Sequence, residues 1–291
     1  MPVQTLAEKV VLQHPQGASV TVLLYGATVI SWKSSSIENS EDVKERLFVS
    51  SKASLDGSKP VRGGIPVVFP CFGAPERPEH LKLSQHGFAR NETWKFDSIV
   101  MDNEAGVSAR FVLSPNAKIA AVYDYDFELA YVVTLAAHQL STDLHVHNTN
   151  TDKVIDFQAL LHTYLAVPAN EIGISPLTNL SFYDKTEPKE ENRLKIEDRQ
   201  SVDVRSYTDR VYENAPQHYR VTWNGGEIDI RSKNFKDVVV WNPQQEGTKI
   251  GDMEDGGWNK YVCVEPGYVR GYVQLQPDEK WVGQQVITIQ K

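Results

Sequence analysis

Cysteine is scarce in this chain: Cys71 and Cys263 are the only two in 291 residues, too few for a disulfide framework. Each sits beside an apolar, strand-like run, so buried free thiols are the expected state. No apolar run approaches the roughly 18 residues of a membrane span, and the opening residues Met1 to Glu8 lack the basic flank and apolar stretch of a secretory signal. A cytoplasmic protein with no membrane partner is therefore expected. No run of five or six Lys/Arg occurs and the formal net charge is −8, which leaves a nucleic-acid surface without electrostatic footing. An anionic small molecule is not excluded, because a few converging arginines set the local potential whatever distant charges do.

Several chemistries lack their motifs. There is no Gly-x-Ser-x-Gly elbow, no phosphate-cradling Gly-x-x-x-x-Gly-Lys-Ser/Thr and no Gly-x-Gly-x-x-Gly, which sets aside hydrolase, P-loop and dinucleotide readings. His145-x-His147 is the one metal-like spacing, since residues two apart share a strand face, but no third ligand accompanies it. A surface position is the expected fate of both, and neither a metal nor another cofactor is expected.

Long amphipathic helices are also scarce. Short strand candidates recur instead, at Ser19 to Leu24, Ala27 to Trp32, Val107 to Leu113, Phe127 to Leu135, Leu140 to His147 and Val154 to Leu161. They continue at Val221 to Trp223, Ile228 to Ile230, Val238 to Trp241, Tyr261 to Val264, Tyr272 to Leu275 and Val282 to Ile289, separated by Gly, Asn and Pro. Leu140, Thr142, Leu144 and Val146 alternate with Ser141, Asp143, His145 and His147, the period of a strand with one buried face. Many short strands with little helix favour an all-β antiparallel sandwich or barrel over a wound α/β fold. The length alone suggests about two domains, yet no Pro/Gly/Ser linker divides the chain and all-β folds often exceed 200 residues as one unit, so residues 1–291 are expected to form a single domain.

Four segments carry candidate chemistry. Tyr261-Val262-Cys263-Val264-Glu265-Pro266-Gly267 sets a carboxylate after an apolar run closed by Pro-Gly, which predicts a strand end opening toward solvent or a ligand. An ordinary solvated acid is the bland alternative. In Phe157-Gln158-Ala159-Leu160-Leu161-His162-Thr163-Tyr164-Leu165 a histidine interrupts an apolar run. It is either a core imidazole bonded to backbone or a group that trades protons near neutrality. Val61-Arg62-Gly63-Gly64-Ile65-Pro66 places an arginine beside two glycines that could let backbone approach a ligand. Gln85-His86-Gly87-Phe88-Ala89-Arg90 gathers an amide, an imidazole and a guanidinium around a glycine.

Together with Tyr25-Gly26-Ala27-Thr28-Val29-Ile30-Ser31-Trp32, Leu55-Asp56-Gly57-Ser58-Lys59-Pro60 and Val239-Val240-Trp241-Asn242-Pro243, these segments resemble the aldose 1-epimerase superfamily. Within it the match is to the glucose-6-phosphate 1-epimerase (hexose-6-phosphate mutarotase) branch, its fungal members above all. The motifs run in order over nearly the whole chain and are loosest around Asn116 to Asp126 and Lys185 to Ser206. After Glu-Pro-Gly, where the fungal pattern often has His, stands Tyr268. The resemblance implies the large galactose-mutarotase-like β-sandwich, anomer exchange of hexose 6-phosphates, and no cofactor.

By that resemblance Glu265 takes the O1 proton and His162 protonates the ring oxygen. Arg62 and Arg90 hold phosphate, Gln85 and Asp209 contact sugar hydroxyls, and His86 orients from behind. For Asp209, in Thr208-Asp209-Arg210-Val211-Tyr212, a loop acid paired with Arg210 is the alternative. His162 must be at least partly protonated to serve, which a nearby carboxylate favours and burial opposes. A mutarotase for neutral sugars would share the acid and base but not need the arginines. A carbohydrate-binding module would need neither acid nor base.

Overall fold

The computed structural model describes residues 2–291. Every named strand pairing is antiparallel. A five-stranded meander runs Val3–Thr5, Lys9–Gln13, Ser19–Leu23, Val29–Ser34, Lys44–Glu45. One eight-stranded sheet is ordered Gly173–Ser175, His218–Trp223, Gly226–Lys233, Lys280–Ile289, Gln139–Asn148, Phe127–Leu135, Gly106–Leu113, Lys95–Asn103. The third sheet is ordered Leu194–Ile196, Ser181–Asp184, Thr208–Tyr212, Asp237–Asn242, Tyr261–Leu275, Ile155–Leu161, Val67–Val68, with Tyr164–Ala166 also bound to Tyr261–Leu275. One continuous cluster of buried side chains draws on all three sheets, from Val10 and Trp32 through Phe111 and Leu144 to Val264. Among the described residues the sole α-helix is Ala117–Ala120, and no helix is long and apolar enough to cross a membrane.

The expected alternation holds in Gln139–Asn148, where Leu140, Thr142, Leu144 and Val146 are buried and the residues between them are only partly so. The same period of two decides what the third sheet offers on each face. Val262 and Val264 point into the main core with Val238 and Val240. Cys263 and Glu265 therefore point the other way, beside Trp241 and Val239, their register partners. In the next strand Asp209 pairs with Trp241 and Val211 with Val239, so Asp209 joins that second face.

Two sequence expectations fail here. Pro266-Gly267 does not end a strand: Tyr261–Leu275 continues through it, and Glu265 is 1% exposed in mid-strand. A proline is tolerated because the neighbouring ladder is interrupted there. Ile155–Leu161 pairs with residues 267–275 and Tyr164–Ala166 with residues 261–263, so Pro266 faces a gap and no ladder bond needs its missing N–H. Nor do the glycines after Arg62 make room for a ligand. A Cβ at Gly63 would lie 2.3 Å from the Phe48 carbonyl oxygen and one at Gly64 2.1 Å from that of Val29, both residues holding positive φ. They let protein backbones close on each other.

Candidate active site

The gap in the ladder is filled by chemistry. Between Ile155–Leu161 and Tyr164–Ala166 the chain crosses with His162, whose Nδ1 lies 3.4 Å from Glu265 Oε1. Its ring lies flat on Tyr164, with centroids 4.8 Å apart and planes 11° apart, and meets Trp241 edge-on at 5.9 Å. His162 Nδ1 and both Glu265 carboxylate oxygens are buried with no hydrogen-bond partner. Buried polar groups are nearly always satisfied, so three orphans in one place mark a position held for something else.

The electrostatics follow from burial. Glu265 is driven well above the usual carboxylate range by burial, then by the charge of Asp209, against the pull of Lys185 and Arg90. His162 is driven well below the usual imidazole value by burial, then by His86, Arg90 and Arg62. Of the two opposing influences on His162, burial prevails.

The remaining candidates surround this pair. His86, left-handed at φ 67, lies edge-on to His162 at 5.8 Å and accepts the Gly73 N–H at Nδ1 (3.2 Å). Burial pushes its pKa down as well. Arg62 donates through Nε to Asp252 Oδ1 at 2.9 Å and through Nη1 to the Tyr164 hydroxyl at 3.3 Å. Arg90 donates Nη2 to the carbonyl of Gln85 (3.0 Å), while its Nε is buried and unpartnered. Among the described residues no carboxylate forms an ion pair with Arg90. Gln85 itself is exposed at the rim. Asp209 lies on the strand Thr208–Tyr212 rather than in a loop, and pairs with Lys185 at 3.4 Å. Its alternative partner Arg210 is bound to Glu197 instead. Burial raises the Asp209 pKa.

All seven candidate residues thus gather at one face of one sheet. His145 and His147 do not: they lie on another sheet, where His147 binds Asp278 at 3.0 Å. Tyr268 lies under the Lys236 ammonium, 5.4 Å from its ring centroid, rather than against the pair. The sequence reading missed Tyr164, Trp241, Lys185 and Asp252. Tyr164 and Trp241 stood inside quoted motifs as apparent core aromatics, whereas Lys185 and Asp252 gave no local signal. Two open clefts, of about 810 and 730 Å³, lie elsewhere and contain neither member of the pair nor any histidine, so concavity alone does not locate the chemistry.

The model of the family described as Aldose 1-epimerase matches residues 8–288. A protein of Cenchrus ciliaris is 31% identical over 95% of this chain and 83% of its own length, and one of Escherichia coli K12 is 32% identical over 89% and 82%. Both carry the name "Putative glucose-6-phosphate 1-epimerase". Among solved structures, one described as a "putative mutarotase (YeaD)" from Salmonella typhimurium superposes with a TM-score of 0.85 at 24% identity, covering 99% of this chain and 92% of that one. A galactose mutarotase related enzyme from Lactobacillus acidophilus gives 0.74 at 17% identity over 96% of each. The chain belongs to the aldose 1-epimerase family, and its fold is the mutarotase β-sandwich.

Proposed function

We propose that the protein interconverts the α and β anomers of hexose 6-phosphates, with His162 and Glu265 as the acid–base pair and Arg62 and Arg90 as the phosphate holders. Opening a pyranose requires removing the O1 proton while protonating the ring oxygen, and closing it requires the reverse. Glu265 accepts the O1 proton and His162 delivers one to the ring oxygen. The C1–C2 bond of the open aldehyde turns, and O5 attacks the other face with the roles exchanged. One proton shared by the pair suffices throughout, so the cycle leaves the site as it began. A phosphate dianion over Arg62 and Arg90 would cancel two of the positive charges that hold His162 neutral, which favours the imidazolium the opening step uses.

The observation that carries the substrate class is Arg90, a guanidinium beside the acid–base pair with an unpartnered Nε and no carboxylate counter-ion among the described residues. A neutral sugar gives such a group no charge to meet, while phosphate matches its planar fork. The relatives named for glucose 6-phosphate point the same way. The test is anomer exchange followed by NMR in a non-catalysing buffer, on glucose 6-phosphate and on free glucose. Faster exchange of the phosphorylated sugar is expected. Equal rates on both would transfer the reading to a neutral-sugar mutarotase, and no acceleration of either would reduce the site to simple binding.

A further inference from the structure

Two residues before Glu265, on the same face of the same strand, the thiol of Cys263 has no place in the reaction proposed above. It is free and fully buried, and its sulfur, a ring nitrogen of His162 and a carboxylate oxygen of Glu265 all lie within 4.8 Å of one another. We propose that these three side chains form an inhibitory site for a thiophilic divalent cation of the zinc class, which would silence the enzyme by occupying its acid and its base together.

Geometry supports a cation site of this size. In a tetrahedral zinc centre, nitrogen and oxygen donors at their usual bond lengths stand about 3.3 Å apart. The His162 Nδ1 to Glu265 Oε1 separation is 3.4 Å, so one edge of the tetrahedron already has its ligating length. The sulfur needs to close by roughly 1 Å to reach the 3.6 Å or so of a sulfur–nitrogen edge. The strand fixes two ligands at i and i+2, and the crossing that carries His162 supplies the third. Availability is shown separately: His162 Nδ1 and both carboxylate oxygens of Glu265 are buried and make no hydrogen bond, so a cation would break none at these atoms.

The donor set also selects the metal. Thiolate, imidazole and carboxylate suit zinc, whereas magnesium and calcium prefer oxygen alone. Binding displaces the thiol proton, and the carboxyl proton where present, to solvent; a +2 ion between one thiolate and one carboxylate is then neutral within the pocket. The nearby guanidiniums of Arg62 and Arg90 oppose any cation, which makes the site one of regulation or poisoning rather than of structure. Three protein ligands leave the fourth position open toward the sugar.

Inhibition rests on the epimerase reading, but metal binding does not, so the experiment has two arms. Cobalt(II) added to the reduced protein should give a thiolate-to-cobalt charge-transfer band and the intense visible bands of tetrahedral cobalt, both displaced by zinc. In the second arm, zinc should slow anomer exchange of glucose 6-phosphate, with recovery on adding chelator. Cys263→Ala should abolish the charge-transfer band and raise the inhibiting zinc concentration at least about tenfold, as loss of a ligand-level contact requires. Its turnover should stay within about threefold, because the thiol meets no reacting atom. Near-ultraviolet circular dichroism checks its fold, and Cys263→Val replaces it if alanine proves unstable. No thiolate band with cobalt, or equal zinc sensitivity in the folded Cys263 variant, would overturn the site. A protein that shows the cobalt spectrum but no exchange activity would retain the metal site and lose the epimerase reading.

Discussion

Replacing Arg90 by alanine isolates the phosphate contact better than any other change. Arg62 is tied to Asp252 and Tyr164, so its removal also frees a carboxylate next to the substrate anion. Arg90 has a single bond, to a backbone carbonyl, and its deletion strands no acid. A hydrogen bond to a charged group contributes about 1.5–3 kcal/mol. At about 1.4 kcal/mol per decade, Arg90→Ala should lower kcat/KM on glucose 6-phosphate by roughly 10-fold to 150-fold. Free glucose, which has no phosphate to lose, should change much less, and only through the charge that Arg90 exerts on His162 and Glu265. Arg62→Ala should fall at least as far, and Arg62→Ala with Asp252→Asn should recover part of that loss, since the second change removes the freed charge. The assay is anomer exchange by NMR on both sugars at one ionic strength, because screening weakens exposed contacts. The ratio of the two efficiencies is decisive. If Arg90→Ala depresses both sugars equally, the guanidinium shapes the site rather than binding phosphate, and the substrate assignment fails.

Glu265→Gln and His162→Ala should each yield a folded protein with turnover down roughly 100-fold to 10,000-fold, the scale of a general acid or base; near wild-type exchange in either would refute the proton-transfer scheme. Activity should survive EDTA unchanged or increased, and a chelator-dependent loss restored by one divalent ion would show a metal requirement that the proposed steps do not contain. Glu197 accepts hydrogen bonds from Arg199 and Tyr212, each at 2.7 Å. Burial raises its pKa, but these bonds prevail and hold it at about 2. A folded pKa below the unfolded one gives stability that is present at neutral pH and is lost as pH falls from about 4.3 toward 2. Glu197→Gln should therefore lower the neutral-pH unfolding free energy by on the order of 3 kcal/mol and flatten the acid limb of the melting-temperature curve. An unchanged acid limb would show that this cluster does not govern acid stability.

The strands legible in the sequence are those with one uninterrupted buried face. Phe127–Leu135 and Gln139–Asn148 alternate cleanly because each covers the core on one side only. Lys95–Asn103 escaped notice because it is an edge strand with a mostly exposed, polar sequence. Thr208–Tyr212 is absent from the strand candidates because Asp209 and Arg210 interrupt its apolar pattern, and their partners, Lys185 and Glu197, come from elsewhere in the chain. Glu265 stands out in the sequence, but its environment does not. Pro-Gly is strong local punctuation, and only the arrangement of neighbouring ladders shows why it ends nothing here. The seven candidate site residues were legible because resemblance supplied what spacing could not: segments about 100 residues apart meet across one sheet. Cys263 lay in plain view in a quoted motif, yet its nearness to His162 exists only in three dimensions.

Glu265 and the arginines are mounted differently. Glu265 sits inside a fifteen-residue strand bonded on both sides, whereas Arg62 lies between strands and Arg90 in the short turn Ala89–Asn91. A length change anywhere in that strand would turn every later side chain to the opposite face; a side-chain exchange at Arg62 or Arg90 has no such effect. The proposed base is therefore locked to the scaffold, while the side chains proposed to hold the headgroup can be exchanged one at a time. Side-chain substitution at residues 62 and 90, with the closely packed Gly63 and Gly64 kept, is a route by which this architecture could be redirected to differently charged sugars without disturbing the strand beneath.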